Sequence, residues 1–155
     1  MGKNIFKKIF PIVLLAVIAM SGCQNYKGSK VVLYYPDSIP QIKVYYKMNK
    51  GKKYVAKQDV FFKNGQLSVS GYFSPNHKRT GKWTTYFEDG TIQRIEHYKE
   101  DMKDGKYIEY YPSGKKMYTA NYKNGLPDGK WIIYDGNGKI MSKIIYKDGK
   151  TINKK

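Results

Sequence analysis

The chain has 155 residues but only one cysteine, two histidines and two arginines, Arg79 and Arg94. A lone cysteine excludes an internal disulfide framework. His77 and His97 beside it make no ligand cluster for zinc. Leucine is scarce as well: after residue 22 it occurs only at Leu33, Leu67 and Leu126. No stretch beyond residue 22 holds a sustained 3.6-residue apolar period, which argues against a helical core. The longest apolar run, Ile9 to Met20, is 12 residues, too short to cross a bilayer as a helix. No Gly-rich loop ends in Lys-Ser/Thr ahead of a helix, so no phosphate cradle is present.

Carboxylates give no catalytic pattern either. Asp89, Asp101, Asp104, Asp128, Asp135 and Asp148 sit at turn signals, where turn chemistry accounts for them. Glu88, Glu96 and Glu109 do not recur in register, so nothing points to a general acid/base pair. Asp135-Gly136-Asn137-Gly138 lacks the downstream glutamate of a calcium loop. The expectation is a non-enzymatic chain without metal or cofactor.

What the chain has in abundance is tyrosine (16), glycine (15) and lysine, with a formal net charge of +17. Without Lys3, Lys7 and Lys8 the balance is 26 minus 12, or +14. Such a charge favours anionic partners: lipid headgroups, acidic polysaccharides or an acidic protein. Lysine is a flexible point charge, poorly suited to bidentate reading.

The aromatic and glycine residues recur every 24 positions. Gly81-Lys82-Trp83 returns as Gly105-Lys106-Tyr107 and Gly129-Lys130-Trp131. Tyr86, Tyr110 and Tyr134 match, as do Gly90, Gly114 and Gly138, and Tyr98, Tyr122 and Tyr146. Phe61 to Phe73 fits at an offset of 25, with the extra residue in Ser74 to Thr80. Tyr34-Tyr35-Pro36 mirrors Tyr110-Tyr111-Pro112 more faintly. Each unit holds two β-rich segments closed by Asp-Gly, Ser-Gly or Asn-Gly turns. The fold expected is all-β, an antiparallel meander of stacked hairpins. Trp83 and Tyr86 are three apart. Either both sheet faces carry rings, or a bulge after the opening glycine brings the two together.

Residues 1–22 read as a signal helix, with Lys3, Lys7 and Lys8 ahead of the apolar run. Met20-Ser21-Gly22-Cys23 resembles the lipobox of bacterial lipoproteins. That resemblance implies cleavage before Cys23, lipidation of its thiol and export to the cell envelope, where nucleic acid is a poor default partner. The division that follows is 1–22 signal peptide, 23–30 lipidated cysteine and tether, 31–58 degenerate cap strands and 59–155 repeat array.

The 24-residue units resemble MORN repeats, in the variant form found in YwqK-like antitoxins. The motif stands here as Gly105-Lys106-Tyr107-Ile108-Glu109-Tyr110, Ser113-Gly114, then Tyr122-Lys123-Asn124-Gly125. The resemblance implies a β-meander without catalytic residues, engaged in membrane or protein contact, or in neutralising a cognate toxin. The candidate binding surface is the recurring lysine beside each ring: Lys82-Trp83, Lys106-Tyr107 and Lys130-Trp131, with Tyr98-Lys99, Tyr122-Lys123 and Tyr146-Lys147. An amine-and-ring ladder of that kind suits an anionic polymer, a headgroup or an envelope protein.

Overall fold

The computed structural model describes residues 25–152. The signal helix expected over 1–22 and the lipidation site Cys23 lie outside the described residues. Within them the chain forms one antiparallel sheet and no helix. Its strands are β1 (Ser29–Tyr34), β2 (Pro40–Asn49), β3 (Lys52–Phe61), β4 (Leu67–Phe73), β5 (Arg79–Tyr86), β6 (Ile92–Lys99) and β7 (Met102–Lys103). They continue as β8 (Gly105–Tyr110), β9 (Lys116–Lys123), β10 (Leu126–Pro127), β11 (Gly129–Tyr134), β12 (Ile140–Lys147) and β13 (Lys150–Thr151). Spatial order follows chain order, with β7 and β10 paired to the lower ends of β6 and β9. The sheet does not divide at residue 58, which lies inside β3; the β1–β2 hairpin is continuous with the array.

Two turn types alternate between the ends of the sheet. The upper turns, Tyr35–Ile39, Phe62–Gln66, Phe87–Thr91, Tyr111–Lys115 and Asp135–Lys139, share one hydrogen-bond pattern. Their fourth residue is left-handed, and is Gly65, Gly90, Gly114 or Gly138 except in the first turn, where it is Ser38 at φ 64°. The lower turns are two-residue hairpins with positive φ at both positions: Lys50-Gly51, Glu100-Asp101, Asn124-Gly125 and Asp148-Gly149. That conformation matches the twist of the flanking strands. One lower turn, Ser74–Lys78, instead takes the five-residue upper form, with His77 at φ 61° in the glycine place. This is where the repeat's extra residue is absorbed.

Neighbouring units are joined by backbone and carboxylate contacts at the lower end. Asp101, Gly125 and Gly149 donate their amides to the carbonyls of Arg79, Lys103 and Pro127 at 2.8–3.0 Å. Asp104 Oδ2 accepts the Asn124 amide at 3.0 Å, and Asp128 Oδ1 accepts that of Asp148 at 3.4 Å. The turn aspartates expected from sequence thus brace the following turn. A single sheet has no second layer to bury a face against. The most buried side chains are accordingly few and small or aromatic: Val44, Ala56, Thr84, Tyr98, Tyr107, Ala120 and the carboxylate of Asp59.

Candidate functional site

Directly opposed residues of antiparallel strands project to the same face, and successive residues to opposite faces. Trp83 opposes Glu96, Arg94 opposes Glu109, Tyr107 opposes Ala120, and Trp131 opposes Ile144. These residues, with Tyr98, Tyr118, Tyr122 and Tyr146, therefore share one face. Tyr86, Tyr110 and Tyr134 fall on the other, so the parity question is settled: both faces carry rings.

The first face, here the ring face, holds the fold together. Trp83 meets Phe73 edge-on at 5.2 Å, and Trp131 lies 5.6, 5.4 and 4.6 Å from Tyr118, Tyr122 and Tyr146. Both indoles reach back to the preceding unit, donating to the carbonyls of Tyr72 at 3.1 Å and Asn121 at 3.2 Å. Each needs a small residue beneath it. A Cβ on Gly71 would come within 2.1 Å of the Trp83 ring, and the register sets Ala120 under Trp131. Where Glu96 takes that place, the ring above is the smaller Tyr107.

This face also neutralises its own charge. Glu96 forms ion pairs with Lys103 at 3.1 Å and Arg94 at 3.3 Å, and accepts a hydrogen bond from the Tyr98 hydroxyl at 3.2 Å. Lys103 Nζ lies 4.7 Å from the Tyr107 ring centre and 5.2 Å from that of Tyr122, and the Arg79 guanidinium stands 4.1 Å from Tyr98. Burial, then the hydrogen bond to Glu109, pushes the Tyr107 phenol up to about 12. Burial raises Tyr98, Tyr118 and Tyr122 as well.

The second face is different in kind. Lys82 opposes His97, Lys106 opposes Asn121, and Lys130 opposes Ile145, in one row across the sheet. Lys99, Lys123 and Lys147 oppose Met102, Leu126 and Lys150 at its lower margin. With Lys116 and Lys143, every lysine named on this face is exposed. Between residues 79 and 151 the only strand carboxylates, Glu96 and Glu109, are on the ring face. His97 is in the lysine row, where its Nδ1 bonds the Lys106 carbonyl at 2.9 Å.

The structure thus does not bring the candidate lysines and rings together as one ladder. Adjacent in sequence, they point to opposite faces, and it is the lysines that are open to solvent. Among the described residues the cation–ring contacts are made by other side chains, including Arg79 and Lys103. Sequence reading missed these two, although Arg79, Lys103 and Pro127 stand 24 apart; proline in the third place hides the pattern. It also missed a cluster near the amino-terminal end. There Lys57 covers the buried Asp59 at 2.9 Å, and both Lys43 and Lys57 lie over Tyr45. Burial, then a hydrogen bond to the Asp59 carboxylate, pushes the Tyr45 phenol up to about 12.

Residues 79–100, 103–124 and 127–148 each match the MORN repeat variant family. The three segments open at Arg79, Lys103 and Pro127, in phase with the hairpins described above. No curated protein and no solved structure matches the chain.

Proposed function

We propose that the chain is a non-catalytic binding module that engages an anionic polymer or surface through its lysine face. A repeat-based binding or scaffolding role fits the three MORN repeat variants. The observation that carries the reading is the segregation of charge. Between residues 79 and 151 the strand carboxylates lie on the ring face beside arginine and lysine. The other face presents exposed lysines there, with Lys147 meeting the turn carboxylate of Asp128 at 3.3 Å; upstream on that face Asp59 is buried and held by Lys57. Solubility needs charge but does not need it sorted by face. Lys82, Lys106 and Lys130 are two strands apart from one another, which spaces their amines by roughly 10 Å. A polyanion can satisfy such a row and release its counterions.

In this proposal Cys23 carries a lipid and holds the module at the cell envelope. Incorporation of labelled fatty acid, abolished by Cys23→Ser, tests that part separately. The binding part is tested with inorganic polyphosphate and the full chain. Affinity should fall steeply with salt, and Lys106→Glu with Lys130→Glu and Lys143→Glu should weaken it by roughly tenfold or more while the β-sheet circular dichroism is kept. Binding that is indifferent to salt, or unchanged in the triple variant, overturns the reading.

A further inference from the structure

The lysine face is hollowed at Lys106, Lys116 and Tyr134, by about 240 Å³, and more widely beside the Ser74–Lys78 turn. The other lower turns are tight two-residue hairpins, whereas this one has five residues and stands off the strands. Next to it lies an open cleft of about 580 Å³, floored by Tyr54 and Tyr72 and flanked by Lys47, Lys82 and Pro75. A second hollow of about 300 Å³ shares Tyr54 and Pro75 and adds Lys52 and His77. Ser74 Oγ, in the cleft wall, is buried without a hydrogen-bond partner.

We infer that this cleft seats one unit of an anionic saccharide chain whose remaining length runs along the lysine row. The inference rests on the lysine-face reading above and names the ligand class and its anchoring point. Volume is the first reason: the cleft lies within the few-hundred-Å³ range of small-ligand sites. Chemistry is the second. Tyr54 and Tyr72 offer amphipathic rings, each with an apolar body and a polar tip, on which the C–H face of a sugar can lie. Lys47 and Lys82 at the margins meet a carboxylate or phosphate carried by that sugar. Lys82 is itself the first amine of the row continued by Lys106 and Lys130, so a chain leaving the cleft enters the row directly. A membrane surface is the poorer fit, because a plane of headgroups touches the lysines but cannot enter a recess floored by rings.

The test compares two probes on the full chain: oligogalacturonate, a carboxylated sugar chain, and inorganic polyphosphate, which has charge but no sugar. Tyr54→Ala, and replacement of Ser74–Lys78 by a two-residue Asn-Gly turn, should each weaken oligogalacturonate binding roughly tenfold and leave polyphosphate within about twofold. Amide shifts on titrating the unaltered chain with oligogalacturonate should be largest at Tyr54, Tyr72 and His77. That measurement serves if the variants fail to fold. Equal losses on both probes, no loss on either, or shifts confined to Lys106 and Lys130 overturn the cleft and leave the lysine face standing. Failure of the unaltered chain to bind either probe overturns both.

Discussion

On the ring face Trp131 touches three tyrosines and sends its indole N–H to the Asn121 carbonyl. One residue earlier, Lys130 stands exposed on the other face, opposite Ile145. The contrast repeats at Lys82-Trp83 and Lys106-Tyr107. A single-layer sheet cannot bury both faces, so the two sides of each strand divide the work. In the repeats one side packs rings and paired charges between units, while the other keeps a thinner layer, in which Thr84 is buried, and presents the exposed lysines. In such a molecule adjacent residues should respond to mutation in opposite ways.

The largest effect expected is on the ring face. Trp131→Ala should destabilise the sheet by about 3 kcal/mol in urea unfolding, whereas Lys130→Ala should stay within about 0.5 kcal/mol. Equal costs would dissolve the distinction between the faces. Gly71→Val offers a second blow to the same side, since its side chain would collide with the Trp83 indole; the expected result is loss of the cooperative melt.

Alkali should come next. Tyr107 ionises near 10 when unfolded but is pushed up to about 12 in the fold. Its folded-state pKa is raised, so the stability linked to the neutral phenol is whole below pH ~10 and is lost as pH rises towards 12. The raised phenols of Tyr98, Tyr118 and Tyr122 act in the same sense. Tyrosinate absorbance and circular dichroism should therefore change together above pH ~10. Free titration of every tyrosine near pH 10 with the sheet intact would contradict the account of the ring face.

A smaller effect belongs to the margin shared by both faces. Asp104→Ala leaves the Asn124 amide without its carboxylate and should cost about 1 kcal/mol, with amide exchange rising first at Asn124 and Gly125. The smallest effect on stability should come from Lys106→Glu with Lys130→Glu, within about 0.5 kcal/mol per site, although anion binding is sharply reduced. Marked unfolding of that variant would show that the lysine face carries structure after all.

Much of this was legible beforehand. The glycine and Asx positions stood out because only certain residues tolerate positive φ, and the all-β hairpin array followed from their spacing. The rings stood out because they replace leucine. The side of the sheet each residue faces was not legible, because the register of each hairpin shifts just before Tyr86, Tyr110 and Tyr134, and a one-residue slip reverses every side chain. Pairing Lys82 with Trp83 by adjacency was therefore misleading, while the true neighbour of Tyr98 is Arg79, 19 residues upstream. The cleft beside Ser74–Lys78 was visible only as an insertion. Its depth depends on Tyr54 and Tyr72, which come from the two strands of one hairpin, 18 residues apart in sequence.

Because strand order follows chain order, no strand waits for a distant segment before it can pair. Loop closure costs little at each step, because the main contacts join strands that are neighbours in the chain. The molecule can therefore be assembled vectorially, each hairpin docking on the one before it as the polypeptide emerges. The same arithmetic makes length an adjustable quantity. Adding or deleting a stretch of 24 residues would extend or shorten the reach of both faces at once and leave the remaining joints as they were.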